Sequence, residues 1–453
     1  MKNQIVMTEG AIFPKLVKFS VPLILSSLLQ LLFNAADIIV VGRYAGDNSL
    51  AAVGSTSSMV NLLVNFFIGL GIGCNVVAAN FLGAGKKEEL NRTVHTTMVL
   101  SVIGGLILTL IGVSFSRQIL VLMASPSDVL PLSTLYLKVF FCGITATIIY
   151  NFGAALLRAK GDTKRPLYIL LVAGVINVIL NLIFVIFFRM DVAGVAFATV
   201  LSQVFAAFYV VWILLHEEDE FRLELRKLRL DMAILGRIIK IGVPAGLQSM
   251  LFSFSNMLIQ SAVNSFGAVM VAGNSAAQSI EGFVYISMNS FAQATLTFAG
   301  QNMGAHKFDR IRRLIVISEA SAIVVGVVMG LSVLALGRPI LGIYSKSPEV
   351  VEAGMLRLAV IMATYFTCGM MDSMAGVIRG VGHSVMPMII TMVGACGLRI
   401  VYLATFFQIP RFHTFQSIFY SYPLSWVVTF SFLTLSFIFV MRKIEHPSEN
   451  QVL

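Results

Sequence analysis

The chain is short of charge. Only 12% of its 453 residues are Asp, Glu, Lys or Arg, about half of the roughly 25% with which a soluble domain covers its surface. Long apolar runs take the place of charge: 57% of residues are hydrophobic, and mean hydropathy is +0.88. A soluble globular domain is excluded and a polytopic membrane protein is indicated. Cysteine is scarce too. Cys74, Cys142, Cys368 and Cys396 all fall within apolar runs, and none has a CxxC partner. That excludes a disulfide framework and a cysteine zinc site, and leaves small buried hydrophobes. The six histidines lie at or near run ends and form no HExxH motif. No metal centre, cofactor or enzyme constellation is expected. The net charge of +10 comes from short loops and not from a continuous patch, so nucleic acid is excluded as a partner. The first twenty residues lack a small-residue cleavage site after a short apolar core and do not read as a removable signal peptide.

What is present is a series of runs long enough to cross a hydrocarbon layer of ~30 Å, which takes about 20 helical residues. Twelve can be counted, at 17–42, 50–80, 93–115, 131–157, 166–188, 192–215, 237–265, 268–300, 312–336, 350–378, 385–408 and 414–441. In lipid the backbone must satisfy itself, so these runs are helices. The fold class is therefore an all-α membrane protein with twelve transmembrane helices. Lys and Arg set the orientation. With the N-terminus in the cytoplasm, inner segments hold 23 of the 32 basic residues. Outer ends hold eight, Arg357 among them, and Arg399 lies inside a span. Both termini are expected in the cytoplasm. The polar segment HEEDEFRLELRKLRLD, 216–231, falls halfway along the chain and reads as a linker lying partly on the bilayer surface.

The two halves repeat. SVPLILSSLLQLLFN (20–34) aligns with GVPAGLQSMLFSFSN (242–256), pairing Pro22 with Pro244 and Asn34 with Asn256. NFLGAGKKEELNR (80–92) aligns with QNMGAHKFDRIRR (301–313), and LLRAKGDTKRP (156–166) with VIRGVGHSVMP (377–387). The offset is 222 in the first block and 221 in the others. Duplication explains three blocks in one order at one offset. It predicts an N-lobe at 1–215, a linker at 216–236 and a C-lobe at 237–453. Six spans per half bring both lobes into the membrane from the same side, so the repeat axis runs along the membrane normal. Duplicated transporters place their sites near the midplane of such lobes.

Ionisable groups inside spans are costly and functional by default. Asp37 lies six residues from Arg43, about 9 Å deep. Asn181 and Thr199 come out about 12 Å deep, with Asn177 one turn lower. Asn151 and Gln203 lie deeper, at roughly 18–20 Å. Helices 1, 4, 5 and 6 thus supply polar groups to the outer half of the N-lobe. Asn177 and Asn181, at i,i+4, share a face. In the C-lobe, Glu281 and Asp372 are the acids noted. Asp372 and Arg399 fall at comparable depth, and an ion pair between them is expected. Glu281 either attracts cations or pairs within its lobe. Pro22 and Pro244 can bend helices 1 and 7.

These residues resemble the multidrug and toxin extrusion (MATE) family of the multidrug, oligosaccharidyl-lipid and polysaccharide flippase superfamily. The similar features run nearly the whole chain. They are VP-x11-N-x2-D-x4-GR in span 1, LAAVG at 50–54, GAGKK after span 2, LLRAKGD after span 4, AGVAFATVLSQ at 193–203, and VIRGVG in the second half. The resemblance implies a secondary antiporter of the inner (cytoplasmic) membrane. Two six-helix lobes would alternate access, and hydrophobic or cationic compounds would leave as H⁺ or Na⁺ enters. It also implies a cation site. A span-1 aspartate, a span-5 Asn-x-x-x-Asp pair and a span-6 threonine carry over to Asp37, Asn177 and Thr199, with Asn181 an amide where the pattern has an acid. Oxygen ligands suit Na⁺, and a lone carboxylate can take H⁺ instead. Asn34, Asn151, Gln203, Asn256 and Glu281 are the residues expected to line a substrate cavity. The chain is read as a monomer. The alternative is a lipid-linked oligosaccharide flippase, which would need a strongly cationic cavity. A receptor would carry an appended soluble domain.

Overall fold

A computed structural model of the protein describes residues 4–123 and 127–445. Among these residues there is no strand, and twelve long helices follow one another. They are α1 (Ile12–Tyr44), α2 (Asp47–Gly83), α3 (Lys87–Leu122), α4 (Leu130–Lys160), α5 (Lys164–Phe187) and α6 (Asp191–Leu215) in the first half. The second half has α7 (Met232–Asn264), α8 (Ala268–Gly304), α9 (Phe308–Tyr344), α10 (Pro348–Gly380), α11 (Val385–Gln408) and α12 (Phe415–Glu445). Eleven are long and apolar enough to cross a membrane. The exception is α8, which matches α2 in length at 37 residues. It is interrupted by Asn274, Gln278, Glu281, Asn289 and Gln293.

The repeat is visible in the backbone. Gly46 and Gly267 lead into α2 and α8 at φ 85° and 90°, and Gly161 and Gly382 follow α4 and α10 at 94° and 96°. Gly85, at φ 67°, has His306 as its counterpart, at φ 54°. A side chain is thus held in the left-handed region at the α8–α9 turn, which glycine occupies at less cost.

The chain divides into two compact units. The first is Met1–Ile5 with Val21–Gly242, and the second is Val6–Ser20 with Val243–Leu453. In the first, α4 is the hub, packed on α2, α3 and α6. In the second, α10 holds the equivalent place against α8, α9 and α12. Both divisions inside helices fall just before a Val-Pro step, at Pro22 in α1 and Pro244 in α7. Proline has no N–H to give the carbonyl four residues back, so each helix lacks one ladder bond at that level.

Residues 216–231, expected as a linker lying partly on the bilayer surface, fold onto the first unit. Phe221 and Leu223 are buried. Buried Lys160 pairs with Glu217 and Asp219, and Arg165 with Asp162 and Glu217. The acidic HEEDE run is drawn to these basic residues at the α4–α5 turn. Further along, Lys87 sits 2.6 Å from Glu220 and, through that hydrogen bond, holds its carboxyl below the usual range. Cys74, Cys368 and Cys396 are buried as expected, whereas Cys142 is exposed on α4.

Within the first unit, α2 and the start of α7 meet backbone to backbone. A Cβ on Gly242 would lie 2.8 Å from Leu70 Cα, and one on Gly73 would strike the Ile238 carbonyl. Small residues let membrane helices approach this closely. Gly73→Ala should cost about 1–3 kcal/mol through overpacking, seen as a lower melting temperature in detergent. Gly282→Ala, which meets open space, should leave that temperature unchanged.

Candidate functional site

The polar residues predicted for spans 1, 5 and 6 meet in the first unit. α5 presents Asn177 and Asn181 one turn apart, 5% and 0% exposed. Asn181 Nδ2 donates to Asp37 Oδ1 on α1 and, at 3.2 Å, to Asn177 Oδ1. Asn177 Nδ2 donates to Thr199 Oγ1 on α6 at 3.4 Å. Thr199 Oγ1 donates to the Val195 carbonyl at 3.0 Å. The chain Asp37–Asn181–Asn177–Thr199 thus ties three helices together.

Local features hold this rung. Phe33, one turn before Asp37, occupies the space beside Gly174, where any Cβ would run into its ring. Gly174 is itself about one turn before Asn177, so α1 and α5 approach at this level. Immediately after Asn181, α5 passes into a π-helical turn at Ile183–Phe187, a feature frequent at functional sites. Val185, in that turn, packs with Val40, Val41, Val53 and Val195 and closes the rung toward the α1–α2 turn. Tyr136 on α4 packs against this cluster within electrostatic range of Asp37. The sequence reading missed Tyr136, because nothing in a single tyrosine marks which face of a helix it occupies.

Oxygen is left over at the rung. Asn181 Oδ1 is buried with no hydrogen-bond partner, and so is Gln203 Oε1, one turn from Thr199 on α6. An orphaned buried acceptor in a native fold calls for an explanation. A hard cation provides one, since carboxylate, amide and hydroxyl oxygens are its ligands. One carboxylate, two amides and a hydroxyl therefore fit Na⁺. Among the described residues, no group of three or more His, Cys, Asp or Glu is placed to hold a metal ion, so the donor set is not that of a zinc-type centre.

Asn34 and its counterpart Asn256 are exposed on α1 and α7. Asn151 donates to the Thr147 carbonyl of its own helix at 2.8 Å.

In the second unit one open expectation is decided and another corrected. Of the two readings of Glu281, an acid that attracts cations in a cavity or an acid paired within its lobe, the second holds. Its carboxylate accepts Arg357 Nε at 2.6 Å and Nη2 at 2.7 Å, while Arg357 Nη1 donates to Asn274 Oδ1 at 2.7 Å. Arg357 was counted among the outer ends, yet it is 2% exposed and its guanidinium lies over the rings of Phe419 and Tyr422. Asp372 and Arg399 form no ion pair among the described residues. Arg399 donates to Ser425 Oγ at 3.0 Å and lies 4.2 Å over the Tyr422 ring. Asp372 stands beside Arg379, Asn289 and Tyr285 instead. Equal depth did not bring the pair together, and each side chain has other partners: Arg379, Asn289 and Tyr285 for Asp372, Ser425 and Tyr422 for Arg399. Glu319 on α9 escaped the sequence reading altogether. Both its carboxylate oxygens are buried without a hydrogen-bond partner. Its signal was simply a glutamate seven residues after Arg312, within a span.

A duplicated, multi-pass helical membrane protein with a buried polar rung in one repeat has the make-up of a transporter. The MatE family model matches residues 22–183 and again 244–405, one match to each repeat. The chain belongs to this family of multidrug efflux transporters. It is 28% identical over 401 residues to the probable multidrug resistance protein YoeA of Bacillus subtilis, covering 87% of this chain and 86% of that one. It is 23% identical over 376 residues to the multidrug export protein MepA of Staphylococcus aureus, covering 83% of each. Two solved structures share the fold at TM-score 0.90, each with 20% identity over 97% of this chain and 98% of the other. They are a MATE transporter in complex with MaL6 and an outward-facing multidrug resistance MATE transporter of the MOP superfamily.

The buried pair generates a stability prediction. Arg357→Ala leaves Glu281 uncompensated and should cost about 3–5 kcal/mol, read as a large fall in melting temperature and folded yield. Glu281→Leu combined with Arg357→Met should recover much of that loss, since neither charge is then stranded. A double variant no more stable than Arg357→Ala would count against this account.

Proposed function

We propose that the protein is a cation-coupled antiporter of the prokaryotic cytoplasmic membrane. It works as a monomer with both termini in the cytoplasm, and exports hydrophobic or cationic compounds as Na⁺ or H⁺ enters by alternating access. The observation that carries this reading is the Asp37–Asn181–Asn177–Thr199 rung. It puts the only carboxylate of this rung against an amide and, among the described residues, in no ion pair. An acid already paired with an arginine, as Glu281 is, has no charge left to exchange. Asp37 does. The relatives' names, multidrug resistance and multidrug export, support the cargo class.

In this mechanism the incoming cation competes with the Asn181 amide for the carboxylate. Released from Asp37, the amide can present Oδ1 to Na⁺ beside Asn177 Oδ1 and Thr199 Oγ1. A proton on Asp37 removes the acceptor charge and loosens the same α1–α5 contact. Either way, occupancy is felt where Phe33 packs at Gly174. A flippase for pyrophosphate-linked cargo is less well supported, since buried Arg357 is held by Glu281 and Arg379 by Gln248 and Asp372.

Efflux of a cationic dye from vesicles, with Na⁺ and pH gradients imposed separately, tests the reading. Asp37→Asn should slow gradient-driven efflux at least about tenfold, the scale of 1.4 kcal/mol of lost coupling, with folded protein retained. Undiminished efflux would sink the proposal. Asn181→Asp adds a second carboxylate, and ligand charge tunes cation affinity. It should therefore lower the cation concentration at half-maximal efflux; an unchanged value would place the coupling site elsewhere.

A further inference from the structure

The second unit contains a cavity of about 650 Å³ at the α8–α9 turn, on the side where the chain's described ends lie. Four cations line it, Lys307, Arg310, Arg312 and Arg313, against two acids, Asp309 and Glu445. Three of the cations have partners. Arg310 donates to the Met7, Glu9 and Gly10 carbonyls, Lys307 to the Thr8 carbonyl at 3.0 Å, and Arg312 to Glu445. Arg313 is exposed and has no ion pair or hydrogen bond among the described residues. The wall also includes Ile12, Phe308 and Ile317, so the cavity is basic with an apolar side.

The repeat makes the free arginine informative. In the first unit a cavity of about 480 Å³ lies between the opening turns of α3 and residues 226–229, with Arg92, Arg226, Lys227 and Arg229 in its wall. Its Arg92, the counterpart of Arg313, is taken up by Glu88 and, at 3.8 Å, by Asp231. The second unit keeps Asp309 in the place of Glu88, yet Arg313 does not pair with it. The start of α9 adds to the positive field. Lys307 precedes it without a side-chain cap, leaving first-turn N–H groups without intrahelical acceptors at the cavity, and such N–H groups favour phosphate.

We infer that this cavity binds the phosphate headgroup of an anionic lipid from the leaflet on the side of the chain's described ends, with Arg313 as the principal contact. The apolar wall favours a lipid over free phosphate, because Ile12, Phe308 and Ile317 can border the glycerol and the upper acyl chain. Basic pockets at the ends of membrane helices hold such headgroups. The inference goes beyond the transport reading and does not depend on it. It also gives the tethering of residues 7–10 a purpose, since the carbonyls of that stretch take up the donors of Arg310 and Lys307 and leave Arg313 for the ligand.

The test uses the full chain purified in detergent, with bound lipid counted by native mass spectrometry. Phosphatidylglycerol, phosphatidylcholine and inorganic phosphate are each added in turn. Phosphatidylglycerol should be retained in preference to phosphatidylcholine, and Arg313→Ala should weaken its retention about fivefold, the effect of one basic contact near a charged headgroup. Arg310 stays intact in this design because it holds the N-terminal segment. Arg338→Ala, at the far end of α9 and paired with Glu352, controls for loss of a charge anywhere and should leave retention unchanged. Equal retention by wild type and Arg313→Ala would overturn the inference. So would an equal loss in Arg338→Ala, or protection by inorganic phosphate alone.

Discussion

An uncompensated carboxylate inside an apolar layer is costly, and this fold treats four of them in four ways. Glu281 receives a bidentate arginine over aromatic rings. Asp372 is set among an arginine, an amide and a phenol. Asp37 receives one amide N–H. Glu319 receives no hydrogen bond at either oxygen. The cost of an isolated buried charge makes these differences decisive. An acid met by a bidentate arginine has its charge compensated in place, whereas an acid held by a single neutral donor does not. The asymmetry between the units follows from this. Their helices repeat, but their polar interiors do not.

The fold was largely legible in one dimension. Span length depends only on hydrocarbon thickness, and a constant offset needs only counting, so the helices and their duplication followed from the letters. α8 shows the limit of hydropathy, since its polar residues are matched by partners on α7 and α10 such as Gln260 and Arg357. The Asp37 rung was legible because three depths coincided and Asn177 and Asn181 lie one turn apart. Depth is only one of two coordinates on a helix, however. Asp372 and Arg399 agree in depth, yet each is taken up by other partners. Arg357 was taken for a residue at a span end until Glu281 was found against its guanidinium. The linker reads from its polar letters as a surface segment, and only the packed chain shows Lys160 buried against its acidic run.

Residues 6–20 and the opening turns of α7 each belong to the unit that the rest of their half does not form. The Arg310 guanidinium reaches back across 303 residues to the Met7 carbonyl. Such contacts are strongly non-local, and closing long loops late slows folding. Residues 6–20 therefore stay without their final neighbours until α9 has been made. Biogenesis cannot proceed as one half completed and then the other, and the first helix must wait in the membrane, half packed, for the second half to arrive.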